Sequence, residues 1–251
     1  MELIKEGYTN KSFKKDNIFY QEKKHNGFNH KVDYTNLSKL DFVPKLIENN
    51  EKYSKWEYIK TKKLELNEKN LRKIAKNFKT LHESNIKFPK NTMARRIKMY
   101  RQQVNELGRK IDVLDKYYKR INNILAKSNT TRPIHNDLYF SNIILDENEK
   151  LYFVDWEYAS MGDKHFDLAL FICASDLNKE QEKIFLNEYD TYWEEYLIQQ
   201  KILACYFIII WAVSKLDIPI NYEYYVKMIQ KIDDEFQIKK QTNSFRIKEW
   251  N

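Results

Sequence analysis

The stretch that most constrains the fold is 132–169, where acidic and amide side chains flank two short apolar runs separated by the polar residues "DENEK". Apolar runs on either side of a polar turn are typical of a β-hairpin. Antiparallel pairing across that turn sets Asn142 opposite Val154 or Asp155. Asn142 and Asp155 therefore emerge at the same open end of the hairpin, where facing residues lie about 5 Å apart.

Two oxygen-bearing side chains at one end of a hairpin predict a Mg²⁺ site. This hard cation takes few protein ligands and completes its shell with water and substrate phosphates. Asp137 comes five residues before Asn142, in the loop that precedes the hairpin. A carboxylate there would orient a substrate hydroxyl and accept its proton. Metal-neutralised phosphates and one carboxylate for the nucleophile are what phosphoryl transfer requires.

The HxDxxxxN pattern at 135–142, followed by Asp155, resembles the catalytic loop and metal-binding aspartate of the protein-kinase-like superfamily. The longer segments "HNDLYFSNII" and "FVDWEYASMGDKHFDLA" are most similar to the choline/ethanolamine kinase family, including the short bacterial choline kinases. Aminoglycoside phosphotransferases and thiamine kinases share the first half of this pattern, whereas "DWEYA" favours choline kinase. The resemblance is strong over 132–170 and weak over most of the remaining chain.

The resemblance implies a role for each matching residue. Asp137 would be the catalytic base, while Asn142 and Asp155 would hold Mg²⁺. His135, in the same catalytic loop, would brace that loop through its backbone. Asp167, in "FDLA", would be structural, because it resembles the buried aspartate that pins the catalytic loop from a following helix.

The same family has a phosphate-covering segment that "EGYTNKSFK" resembles through Gly7, Thr9 and Asn10, although one glycine stands where two are usual. These three residues are therefore predicted to bind the nucleotide. The segment "WEYIK" at 56–60 is the candidate hinge between lobes, whose backbone would meet the adenine.

A basic residue is expected on the strand "NIFYQEKK", facing the α- and β-phosphates. Depending on the register, that position falls on Lys23, Lys24 or Gln21, and we predict Lys23. Its acidic partner would be Asp33 on a following helix, where the family generally has glutamate.

Choline cannot donate a hydrogen bond from its quaternary ammonium, so a site for it relies on aromatic faces and nearby carboxylates. Tyr158 directly follows the metal segment, and Trp211 ends an apolar helix in which the first of two expected tryptophans is Ile208. Tyr158 and Trp211 are therefore the predicted substrate residues. Glu157 is either a further metal contact or faces a cationic substrate.

These segments predict an α+β, protein-kinase-like fold with two lobes: a small strand-rich nucleotide-binding lobe over 1–60 and a larger, mainly helical catalytic and substrate-binding lobe over 61–251. Helical spacing begins after Asn67, a second long helix is expected over 92–127, and two or three more follow the hairpin. The apolar run "ILACYFIIIWAV" is shorter than the roughly 20 residues that cross a bilayer, so it predicts a buried helix.

Composition favours a cytoplasmic protein. The net charge of +8 is dispersed without an arginine-rich block, so nucleic-acid binding is not favoured. The charge could equally serve an anionic phosphate substrate or nothing specific. Cys173 and Cys205 lie in apolar surroundings and indicate reduced core residues. The N-terminus is polar from its fifth residue, unlike a secretory signal. The oligomeric state cannot be predicted.

The leading hypothesis is a kinase that uses ATP and Mg²⁺ to phosphorylate choline. A second keeps the chemistry and changes the acceptor to ethanolamine, thiamine or an aminoglycoside. A third is a pseudokinase, a kinase-shaped binding protein, which the reduced glycine segment suggests and the intact catalytic residues oppose.

Overall fold

The computed structural model describes residues 2–4 and 10–246, which form a strand-rich N-terminal lobe and a larger helical lobe. The N-terminal lobe is an antiparallel sheet in the order β1-β2-β3-β5-β4. Its strands are β1 (Glu2–Ile4), β2 (Lys11–Lys15), β3 (Ile18–Glu22), β4 (Leu46–Asn49) and β5 (Tyr53–Glu57). The Asp16 and Asn17 turn joins β2 to β3, and Asp16 has a φ of 53°, a conformation that Asp and Asn tolerate in tight hairpins.

The connection between β3 and β4 contains a short 3₁₀ helix, Tyr34–Lys39, and Asp33, which was expected on this helix, is its N-cap. Asp33 caps it by accepting a hydrogen bond from the Thr35 backbone N–H at 3.0 Å. The chain then crosses onto the helical lobe, where the Phe42 and Phe153 ring centroids are 5.0 Å apart. This connection therefore packs directly on the hairpin of the second lobe.

The helical lobe begins with α1 (Glu68–Glu83), whose N-cap is Asn67 as predicted. The single helix expected over 92–127 is wrong, because the chain forms α2 (Met93–Glu106) and α3 (Asp112–Lys127). Gly108 lies between them with a φ of 65°, a left-handed conformation that ends helices and that glycine adopts without strain.

The predicted hairpin is confirmed. It consists of β8 (Ile143–Asp146) and β9 (Leu151–Phe153). The other strands of this lobe are β6 (Thr61–Lys62), β7 (Arg132–Ile134) and β10 (Ser160–Gly162). In the β8–β9 pair, Ile143 faces Phe153, and the Val154 N–H donates to the Asn142 carbonyl at 3.0 Å. Asn142 therefore faces Val154 and is one residue from Asp155 along the strand direction. Pairing of β7 with β10 places the 135–137 loop beside the same end of the hairpin.

Four helices follow, one more than expected: α4 (Lys164–Ala174), α5 (Lys179–Tyr189), α6 (Glu194–Val213) and α7 (Tyr222–Gln241). The apolar run lies in α6, which packs against α2, α3, α4 and α7. By length and composition α6 would suffice to cross a membrane, but most of its apolar window is buried inside the protein, as in a core helix. Cys173 and Cys205 are free and buried.

Candidate active site

A cavity of about 610 Å³ lies between the sheet and the helical lobe. Several predicted site residues line it: Asn10, Asp137, Asn142, Asp155, Tyr158 and Trp211. From the N-terminal lobe, Gln21 and residues 56–59 line the same cavity. The fold therefore brings the 56–59 segment, the Asp137 carboxylate and the hairpin end around one space.

The catalytic loop is fixed by Asp167, which is completely buried on α4. One oxygen of Asp167 accepts the Asn136 backbone N–H at 2.7 Å. Its other oxygen accepts the His135 backbone N–H at 2.7 Å and is 3.2 Å from His82 Nε2. Asn136 has a φ of 67°, so this carboxylate holds two successive N–H groups of a strained loop just before Asp137.

His135 does not line the cavity. Its Nε2 donates to the Val154 carbonyl at 2.9 Å, and its ring centroid is 4.4 Å from that of Trp156. Complete burial lowers the pKa of His135 to about 4, so the imidazole is neutral at neutral pH. This geometry corresponds to a brace between the loop and the hairpin, and it leaves His135 without access to a reacting proton.

Asn142 and Asp155 face the cavity from the end of the hairpin. Asn142 Nδ2 donates to the Asp137 carbonyl at 2.7 Å, which fixes the amide and directs its oxygen away from that contact. Asp155 has a φ of 64°, and its Oδ1 is buried with no hydrogen-bond partner among the described residues. Burial raises the pKa of Asp155, the charge of Glu157 raises it further, and Gln21 opposes the rise.

Asp137 is the only titratable side chain of the 135–137 loop that lines the cavity. Burial raises the pKa of this carboxyl well above its usual range, and the negative charges of Asp155 and Glu157 act in the same direction. The guanidinium of Arg96 opposes them. A cation beside these carboxylates would therefore favour the ionised form of Asp137 that a proton acceptor requires.

Glu157 lies in a buried network between the lobes. Its Oε2 accepts hydrogen bonds from Asn10 Nδ2 at 2.8 Å and Asn29 Nδ2 at 2.9 Å, and His30 Nε2 is 2.9 Å away. The His30 backbone N–H also donates to the Glu157 carbonyl. Glu157 Oε2 is therefore directed toward the N-terminal lobe, and the metal or substrate contact expected from the sequence stays a prediction.

The expected pairing of Lys23 with Asp33 does not occur. Lys23 Nζ donates to Asn49 Oδ1 and to the Asn50 carbonyl, both at 2.6 Å, while Asp33 is exposed and caps the 3₁₀ helix. Gln21, two residues earlier on β3, takes the cavity-facing position. Gly7 and Thr9 lie outside the described residues.

On the opposite side of the cavity, the Tyr158 hydroxyl accepts a hydrogen bond from Asn26 Nδ2 at 2.6 Å. Phe207 and Ile208 also line the cavity together with Trp211. Ile208 therefore contributes to the lining at the position where the family pattern has its first tryptophan. Arg96 on α2 also lines the cavity and had no signal in the sequence, because α2 reads as an ordinary polar helix.

Sequence reasoning also missed Asn29, His30 and His82. The first two lie in a loop without periodicity, and His82 occupies the buried face of α1. Only His82 could have been found from the sequence, because a histidine on the apolar face of an amphipathic helix needs a buried hydrogen-bond partner.

The sequence matches known proteins over most of its length. The family model described as choline/ethanolamine kinase matches residues 17–244. A LicA homolog of Mycoplasma capricolum is 43% identical over 226 residues, covering 90% of this chain and 94% of the relative. A LicA homolog of Metamycoplasma hominis is 43% identical over 246 residues, covering 95% of this chain and 98% of the relative.

Solved structures show the same fold. Choline kinase LicA from Streptococcus pneumoniae has a TM-score of 0.70 and 22% identity, covering 94% of each chain. A choline/ethanolamine kinase family protein from Mesorhizobium loti has a TM-score of 0.72 and 19% identity, covering 91% of this chain and 87% of that chain. The aminoglycoside phosphotransferase APH(2'')-Ib has a lower TM-score of 0.59. The protein is a small-molecule kinase with a protein-kinase-like fold, and it belongs to the choline/ethanolamine kinase family.

Proposed function

We propose that the protein transfers the γ-phosphoryl group of ATP to the hydroxyl of choline, giving phosphocholine and ADP. The observation that supports this most directly is that Asp137, Asn142 and Asp155 line the same cavity as Tyr158 and Trp211. Transfer requires the phosphate-binding and acceptor-binding groups to share one space. Relatives named LicA, one of them titled a choline kinase, give the same indication.

The residues present fit a Mg²⁺ ion at the end of the hairpin. Asp155 offers a buried carboxylate oxygen without a hydrogen-bond partner, and Asn142 offers an amide oxygen beside it. Such a sparse donor set suits Mg²⁺, which keeps several waters and binds substrate phosphates. When bound there, the ion would neutralise the charge of the ATP phosphates.

The protein groups divide the remaining work. Asp137 orients the acceptor hydroxyl and accepts its proton as the bond to phosphorus forms, while Asp167 and His135 hold its loop in place. In the lobe formed by 1–60, Asn10 covers the phosphates and the backbone of 56–60 meets the adenine. Glu157 fastens that lobe to the one formed by 61–251 through its contacts with Asn10, Asn29 and His30.

The acceptor side suits a quaternary ammonium better than a primary amine. Tyr158, Phe207 and Trp211 line the cavity, and aromatic rings attract a cation without requiring it to donate hydrogen bonds. Both substrates are soluble metabolites, so the proposed location is the cytoplasm.

A coupled ADP-release assay tests this function. Mg²⁺-ATP is supplied with choline, ethanolamine, thiamine or kanamycin, and the Asp155→Asn variant serves as a blank. We expect turnover with choline well above the other three acceptors and loss of turnover in the variant or in EDTA. Turnover with only one of the other acceptors would identify that compound as the substrate in place of choline. No turnover with any of the four would favour a kinase-shaped binding protein.

A further inference from the structure

Arg96 occupies the aromatic side of the cavity. Its guanidinium carbon lies 3.9 Å from the centre of the Tyr158 ring and 4.7 Å from the centre of the Phe207 ring. These distances are those of close cation–π contacts. The slot between the two rings is thus filled by a cation that belongs to the protein.

This arrangement is costly for a side chain that remains charged. Arg96 is 3% exposed, and its Nε and Nη1 are buried with no hydrogen-bond partner among the described residues. Arginine stays protonated in proteins, so it cannot escape the cost by losing its proton. A buried donor without a hydrogen bond keeps the full cost of its desolvation, so the Nε and Nη1 groups of Arg96 destabilise the folded protein. Packing alone therefore does not account for arginine at this position.

A second cation, Lys215, lies over the Trp211 ring. Lys215 Nζ is 5.3 Å from the centre of the Tyr100 ring and 5.9 Å from the centre of the Trp211 ring. Both rings assigned to the acceptor, Tyr158 and Trp211, thus already face a positive charge. An incoming ammonium group meets repulsion from Arg96 unless the guanidinium leaves the slot.

We propose that Arg96 is a specificity-determining residue: its guanidinium occupies the slot between Tyr158 and Phe207, and the acceptor's quaternary ammonium binds there by displacing it. The proposal rests on the proposed function, because it assumes a cationic acceptor. Displacement returns the Nε and Nη1 donors to water, which offsets part of the lost cation–π contact. The measured affinity for the acceptor is then lower than the intrinsic affinity of the empty slot, because only the fraction of molecules with Arg96 displaced can bind.

Tetramethylammonium is the appropriate probe, because it carries the quaternary charge and has no hydroxyl to phosphorylate. Its affinity is measured by calorimetry with the wild type, Arg96→Met, Arg96→Gln and Arg96→Lys. Arg95→Met is the matched control, since Arg95 is the exposed neighbour on the same helix. We expect binding to tighten about tenfold in the two neutral variants, and to change less than about twofold in Arg96→Lys and in the control. Unchanged or weaker binding in both neutral variants, or no binding to any form, would overturn the proposal.

A variant-free measurement guards against misfolding of the substituted proteins. In the wild type, the Arg96 side-chain Nε–H resonance should be shifted by the two rings and should move toward its ordinary position as tetramethylammonium saturates the protein. A resonance that stays in place at saturation would contradict displacement. Neither measurement depends on turnover, so an inactive protein that shows both effects would refute the proposed function while retaining the role of Arg96.

Discussion

The catalytic loop and strand β3 face the same cavity, yet they are held in different ways. The loop is fixed by buried hydrogen bonds from Asp167 and by the contact of His135 with the Val154 carbonyl. On β3, the lysine expected to bind phosphates contacts Asn49 and Asn50 at an exposed edge of the sheet. We infer that the fold itself fixes the positions of Asp137, the proposed proton acceptor, and of Asn142 and Asp155, the proposed metal ligands, whereas the proposed nucleotide side is less tightly held.

The largest effect should come from Asp137→Asn. An amide of the same shape cannot accept the acceptor's proton, so kcat should fall about 10³-fold. The ATP dissociation constant, measured by calorimetry with Mg²⁺ present, should stay within about threefold of the wild type because the metal ligands are untouched. A parallel loss of nucleotide binding would count against a proton-accepting role.

Asp167→Asn should sever the brace. Asparagine has one acceptor oxygen for the His135 and Asn136 N–H groups, so one buried donor loses its partner, at a cost of about 1–3 kcal/mol. We expect the free energy of unfolding in urea to fall by that amount and kcat to fall about tenfold, with the exposed Asp112→Asn as control. Full activity in Asp167→Asn would show that the loop holds its shape unaided.

His135 makes the stability of the loop depend on pH. Its pKa is about 4 in the folded protein and 6.5 in the unfolded chain. The stability that depends on a neutral His135 is therefore fully present above pH 6.5 and is lost as the pH falls toward 4. Between pH 7 and 4.5 the wild type should lose about 2 kcal/mol more than His135→Gln, which has no group that titrates. Urea unfolding at both pH values provides the comparison. Equal losses in the two proteins would mean that His135 is not held neutral.

The smallest effects should come from the N-terminal lobe. Lys23→Met and Asp33→Asn remove side chains that do not contact each other or line the cavity, so each should change the KM for ATP less than about threefold. Gln21→Ala, which alters the cavity beside Asp155, should raise it more than either. A tenfold or larger increase in Lys23→Met would restore the role predicted from the sequence.

The sequence predicts the hairpin side of the cavity better than the β3 side. The hairpin and the approach of Asn142 to Asp155 were predicted because two apolar runs flank a short polar turn, which limits the partner of Asn142 to Val154 or Asp155. The structure selects Val154. The break between α2 and α3 was readable from Gly108 and was missed. The position facing the phosphates on β3 was not decided, because Gln21, Lys23 and Lys24 differ only by small register choices.

Other features depend on tertiary contacts that leave no local pattern. The sequence predicts Asp33 as an ion-pair partner. A short polar side chain followed by Thr35 is equally suited to cap a turn, and Asp33 does so in the structure. Arg96 lies in a polar helix, and only the packing of α2 against α6 places it over Tyr158 and Phe207.

The most direct test of the account is ³¹P NMR of the products formed from ATP, Mg²⁺ and choline, with wild type and Asp137→Asn in parallel. We predict one phosphocholine for each ADP in the wild type and neither product in the variant. Release of inorganic phosphate without phosphocholine, or equal phosphocholine from both proteins, would contradict the assignment of this cavity as a choline kinase site.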